Sequence, residues 1–94
     1  MKRIPTHPGE ILKQELVARG LSANRLSLDL AVPSGRIVEI LNRKRAITPD
    51  TALRLGRYFG NAPQFWMNLQ VQYDLAVAER EHGAEIAARV GHAA

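Results

Sequence analysis

The sequence predicts an all-α protein of five helices, and three observations predict it. Apolar residues recur three and four positions apart along the chain, no stretch shows the sustained alternation of a half-buried strand, and helix-starting and helix-stopping residues punctuate the whole length. The first helix opens at Pro8-Gly9-Glu10 and runs through Ile11, Leu12 and Leu16 to Arg19, where Gly20 supplies a left-handed stop. Ser22 is a good cap for the second, in which Leu26 and Leu30 lie one turn apart on one face. Ala31-Val32-Pro33-Ser34 then breaks the pattern, because the residue before a proline avoids the α region while proline itself suits a helix's first turn. A third helix is expected from Pro33, burying Ile37, Ile40 and Leu41 and ending near Asn42. Thr48-Pro49-Asp50-Thr51 combines a capping hydroxyl, a proline at the first helical position and an acid favoured by the helix dipole, so the fourth helix starts there and continues through Leu53, Leu55 and Phe59 to Gly60. The fifth opens at Asn61-Ala62-Pro63, with either Asn61 as cap or Ala62 as cap and Pro63 first, and is expected to span about residues 62–81. Gly83 separates it from an alanine-rich tail, residues 83–94, which is either one or two further turns or a frayed end.

A chain of 94 residues buries too little surface for two independent cores, so residues 1–94 are expected to form one domain. With 46% apolar and 23% charged residues it has the balance of a folded protein. It has no cysteine, and hence neither disulfides nor thiolate chemistry. No apolar run follows Met1-Lys2-Arg3-Ile4-Pro5, so no signal peptide and no membrane span is expected, and the cytoplasm fits best. The net charge of +4 is unevenly placed: residues 1–60 hold eleven Lys/Arg against five Asp/Glu, whereas residues 61–94 hold two against four. The N-terminal two thirds is therefore the part suited to a polyanion.

Two short helices joined by a tight turn, the second followed by positive charge, make the helix-turn-helix arrangement by which proteins enter the DNA major groove. Residues 22–42 supply it. The first of the pair crosses the DNA backbone and braces the second, whose N-terminal side chains reach base edges. Leu26, Ala31, Val32, Ile37 and Ile40 are apolar or small where the two helices must touch, while Ser34, Arg36 and Glu39 are left outside. A packed helix hairpin with no DNA role would show the same inner set.

Residues 22–45 resemble the Cro/C1-type (XRE) helix-turn-helix family. A wider set of segments resembles the HigA-type antitoxins of bacterial toxin–antitoxin modules. These are His7-Pro8-Gly9-Glu10-Ile11-Leu12, Asn42-Arg43-Lys44-Arg45-Ala46-Ile47-Thr48, Asp50-Thr51-Ala52-Leu53-Arg54-Leu55, and Phe65-Trp66-Met67-Asn68-Leu69-Gln70 with Tyr73-Asp74-Leu75. The resemblance implies a lambda-repressor-like domain of five helices with an extended C-terminal helix. It also implies an antitoxin that neutralises a RelE-like, mRNA-cleaving toxin and represses its own operon by binding double-stranded operator DNA as a homodimer. The base-reading positions it implies fall on Ser34, Gly35 and Glu39. Gly35 departs from the family pattern, where a polar side chain is common, and Arg43 stands where glycine is frequent, so the left-handed turn there is expected to change.

Residue chemistry adds roles of its own. Arg36 suits bidentate pairing with guanine or a phosphate clamp, and Glu39 suits a cytosine amino group. Arg43, Lys44 and Arg45 suit phosphates, which fix register without reading sequence, and Asn24 and Arg25 suit further backbone contacts. At 100° per residue the fifth helix carries two apolar stripes: Phe65, Trp66, Leu69, Tyr73 and Ala76 on one side, and Met67, Val71, Leu75 and Ala78 on another. One stripe packs on the core and the second, Met67, Val71, Leu75 and Ala78, is assigned to a symmetric dimer, unless both are one wide core face. His7, His82 and His92 lie far apart and no nucleophile motif, metal-ligand spacing or phosphate-binding glycine loop occurs, so no catalysis, metal or cofactor is expected. Two other readings remain open: a stand-alone repressor with no toxin, and a protein-interaction module whose helix-turn-helix has lost DNA affinity, which Gly35 would suit.

Overall fold

The computed structural model describes residues 4–93. Residues 1–3 of the basic N-terminus, and residue 94 at the end of the tail, lie outside the described residues. Five helices follow one another: α1 Pro8–Arg19, α2 Ala23–Leu30, α3 Ser34–Leu41, α4 Pro49–Phe59 and α5 Pro63–Arg89. Their starts follow from the cap chemistry. The His7 Nδ1 accepts the Gly9 N–H at 2.9 Å, the Ser22 hydroxyl accepts the Arg25 N–H at 3.0 Å, and the Thr48 hydroxyl accepts the Thr51 N–H at 3.4 Å. Pro33 occupies the cap position of α3, one residue before the first helical residue, and Ala62 caps α5 with Pro63 first. Asn61 is thereby free for another task, and its Oδ1 accepts the Trp66 indole N–H at 3.0 Å.

Every helix contributes to one core, in which Leu12, Leu26, Ile37, Ile40, Leu55 and Trp66 are fully buried. Two glycines allow the backbone contacts that bring elements this close. A Cβ on Gly9 would overlap the Ile40 carbonyl oxygen, so the start of α1 can rest on the end of α3 only without a side chain there. One on Gly56 would lie 2.7 Å from the Asn61 carbonyl oxygen, where the α4–α5 turn folds back. The irregular segment between α3 and α4 is pinned by Ile47. Its side chain is buried, and its N–H is donated to the buried Gln70 Oε1 of α5 at 2.8 Å, while Gln70 Nε2 donates to Asp74 at 2.9 Å.

The fifth helix differs from expectation. It continues through Gly83 to Arg89 without a break, eight residues beyond position 81. A single interior glycine costs about 1 kcal/mol, which alanines, glutamates and arginines on both sides can offset. Pairs on the exposed surface, such as Glu85 with Arg89 at 3.6 Å, add a little. No helix among the described residues is long and apolar enough to cross a membrane.

Candidate nucleic-acid interface

The connection from α2 to α3 is a tight turn made by backbone geometry. Ala31 adopts the left-handed conformation at φ 59°, its N–H bonding the Leu28 carbonyl at 3.1 Å and the Val32 N–H bonding that of Ser27 at 3.0 Å. A side chain from α4 closes the same turn: Arg54 donates to the Leu30 carbonyl at 2.8 Å and to that of Ala31 at 3.3 Å. Asp50, one turn before Arg54, accepts its Nε at 3.0 Å and also accepts Arg36 of α3 at 2.9 Å. Asp50 thus ties α3, α4 and the turn together. The Arg54 hydrogen bond, with Arg36 adding to it, holds the exposed Asp50 carboxyl below its ordinary pKa.

Sequence reasoning missed Asp50 and Arg54 as positioning residues. Their spacing of four on one helix was the available signal, but the partners lie 14 to 24 residues away in the chain.

With Ile37 and Ile40 buried, the opposite face of α3 looks outward, and Ser34 and Gly35 at its N-terminal end are exposed. Val38, one turn after Ser34, is exposed as well; the sequence reading did not single it out. Arg36 and Glu39 are half-buried at the edges of this face and already paired, Arg36 with Asp50 and Glu39 with Arg45 at 2.9 Å. Arg43 pairs with Glu10 of α1 at 3.0 Å and Arg25 with Asp29 at 3.3 Å. Asp29 also accepts the Tyr58 hydroxyl at 3.0 Å, which raises the phenol's pKa. Lys44 and Asn24 are exposed, and Lys44 forms no ion pair among the described residues.

These solvent-accessible pairs each contribute at most about 1 kcal/mol, so they orient the guanidiniums without preventing exchange of a carboxylate for a phosphate. Arg43 keeps the left-handed turn expected of glycine, at φ 62°: its N–H bonds the Ile40 carbonyl at 3.1 Å and the Lys44 N–H bonds that of Glu39 at 2.8 Å. All four residues of the His-Pro-Gly-Glu segment therefore have a structural task, since Glu10 holds Arg43 just after the end of α3.

The stripe assigned to a dimer is divided. Met67 is half-buried and packs against the core, whereas Val71, Leu75 and Ala78 are exposed. On the other stripe Trp66 is fully buried but Phe65 is 45% exposed, its ring set edge-on to Trp66 at 5.1 Å. Among the described residues no group of three or more His, Cys, Asp or Glu is placed to hold a metal ion.

A braced turn, an outward second helix and flanking cations define a helix-turn-helix protein of the repressor type. Comparison with known proteins narrows the class. No family model matches the chain. Virulence-associated protein I of Dichelobacter nodosus is 54% identical over 76 residues, covering 80% of this chain and 70% of that protein. The solved structure of an addiction-module antidote protein of the HigA family from Coxiella burnetii matches with a TM-score of 0.92 at 47% identity, covering 97% of this chain and 100% of that one. Pseudomonas aeruginosa antitoxin HigA, solved with the higBA promoter, matches with a TM-score of 0.90 at 42% identity, covering 93% and 96%. The chain belongs to the HigA family of helix-turn-helix antitoxins. Its relatives include antitoxins and HTH-type transcriptional regulators, and it is not an enzyme.

Proposed function

We propose that the protein is a cytoplasmic, homodimeric antitoxin that represses its own operon by binding the operator and neutralises a RelE-like toxin encoded beside it. The observation that carries the DNA-binding part is the face of α3: Ser34 and Gly35 are exposed at its start, Arg36 lies at its edge, and Arg43, Lys44 and Arg45 follow its end. Arg36, at the edge of that face, can turn from Asp50 to a guanine or a phosphate, and Glu39 from Arg45 to a cytosine amino group. Arg25, Arg43, Lys44 and Arg45 serve phosphates, with Asn24 beside Arg25 as a neutral donor. The P. aeruginosa relative, solved with the higBA promoter, supports DNA binding. Toxin neutralisation is supported by membership of the family.

Dimerisation is supported by Val71, Leu75 and Ala78, exposed in a row on α5 and continued at Ile86, which is 53% exposed. A second copy burying this row would supply a second α3 helix, as two half-sites about 34 Å apart require.

Fluorescence anisotropy with a duplex from the promoter of the protein's own operon tests the reading. Binding should weaken steeply with salt, and Lys44→Ala should lower the slope of log K against log salt by about 1 for each copy bound. Salt-independent binding, or no preference for that duplex over scrambled DNA, would remove the repressor role. Co-expression with the adjacent small gene, followed by mass measurement, tests the toxin partner.

A further inference from the structure

Val38 is 43% exposed, while its α3 neighbours Ile37 and Ile40 are fully buried. It lies one turn after Ser34 and one turn before Asn42, both exposed, so it stands in the middle of the outward face. Beside it Gly35 carries no side chain, and a Cβ there would have only the Glu39 carboxylate within reach, at 4.0 Å. The longer side chains at the edges of the face are held by partners on other segments, Arg36 by Asp50 and Glu39 by Arg45. What α3 offers a groove at its centre is therefore a hydroxyl, bare backbone and an isopropyl group. The major-groove edge of the base pairs carries one apolar feature, the C5-methyl of thymine.

We propose that Val38 determines specificity by packing against a thymine methyl, selecting a T·A pair at one position of each half-site. Gly35 leaves the space that lets α3 come close enough for this contact. The inference rests on the operator-binding reading and adds to it what the helix reads.

The test begins with duplexes selected from a random pool by the full-length protein. Each thymine of the selected site is then replaced singly by deoxyuridine, which deletes only the methyl group. Wild-type protein should lose about four-fold in affinity per half-site at one thymine, the equivalent of the ~0.8 kcal/mol gained by burying one methylene-sized group. Val38→Ala, with its thermal melting checked against wild type, should bind thymine and uracil equally at that position while keeping any other uracil penalties. A Val38→Ala protein that retains every wild-type penalty overturns the assignment and leaves operator binding intact, and so does a wild-type protein indifferent to every replacement. Failure of wild type to enrich any duplex overturns both readings.

Discussion

His7 caps α1 only while its ring is unprotonated, because Nδ1 must accept the Gly9 N–H at 2.9 Å. The imidazole is buried edge-on against Tyr73, with ring centres 4.7 Å apart. Burial pushes its pKa below the ordinary 6.5, Arg43 pushes the same way, and Asp74 and Glu10 pull back less strongly. Between the native and the ordinary value the unfolded chain holds a proton that the native protein does not, so stability rises with pH across that window. The cap's contribution is complete above the ordinary value and is lost as pH falls through the native one. Thermal melting followed from about pH 7.5 to 5 should show a decline that His7→Asn, a cap that does not titrate, removes. Carboxylates titrate mostly below this range. Parallel curves for the two proteins would show that the His7 cap does not respond to pH.

At the scale of elements, the left-handed turns show where local sequence stops being informative. Gly20 and Gly60 end α1 and α4 with φ of 61° and 76°, and both ends are readable from the residue type alone. Ala31 and Arg43 adopt the same conformation although neither is glycine, because α2 must turn into α3, and α3 into the segment held by Ile47, within a few residues. A non-glycine residue there costs roughly 1–2 kcal/mol, partly recovered by its lower unfolded-state entropy. Ala31→Gly should thus stabilise the protein by about 1 kcal/mol, read as a higher urea midpoint at unchanged slope. A lower midpoint would mean that this turn is not strained.

Helix starts, the inner face of the helix-turn-helix and the burial of Trp66 were legible for the same local reason: they depend on residues a few positions apart. The partners of Arg36 and Glu39 were not, since Asp50 and Arg45 reach them only after α3 and α4 have packed. The end of α5 was misplaced because one glycine weakens a helix without the power to stop it.

At the scale of the whole molecule the long axis is set by α5. The described chain measures 51 Å in its longest direction and 24 by 21 Å across, and a helix of 27 residues spans about 40 Å of that length. An isologous contact through Val71, Leu75, Ala78 and Ile86 would run along this rod, on the segment where acidic residues outnumber basic ones, and leave the basic segment free for DNA. Leu75 is 65% exposed, so Leu75→Glu should leave the helical content and melting of the monomer almost unchanged. In a symmetric dimer it would set two carboxylates against apolar partners near the twofold axis. Light scattering should then report half the wild-type mass. Operator affinity should fall by about 100-fold, because the second half-site contact ceases to be intramolecular. The salt slope should also halve, since each bound protein brings half as many cations to the phosphates. The three readouts are linked by one cause, and they separate it from simple damage to α3, which would lower affinity with the mass unchanged. A Leu75→Glu protein with wild-type mass, affinity and slope would move the interface off this row of α5.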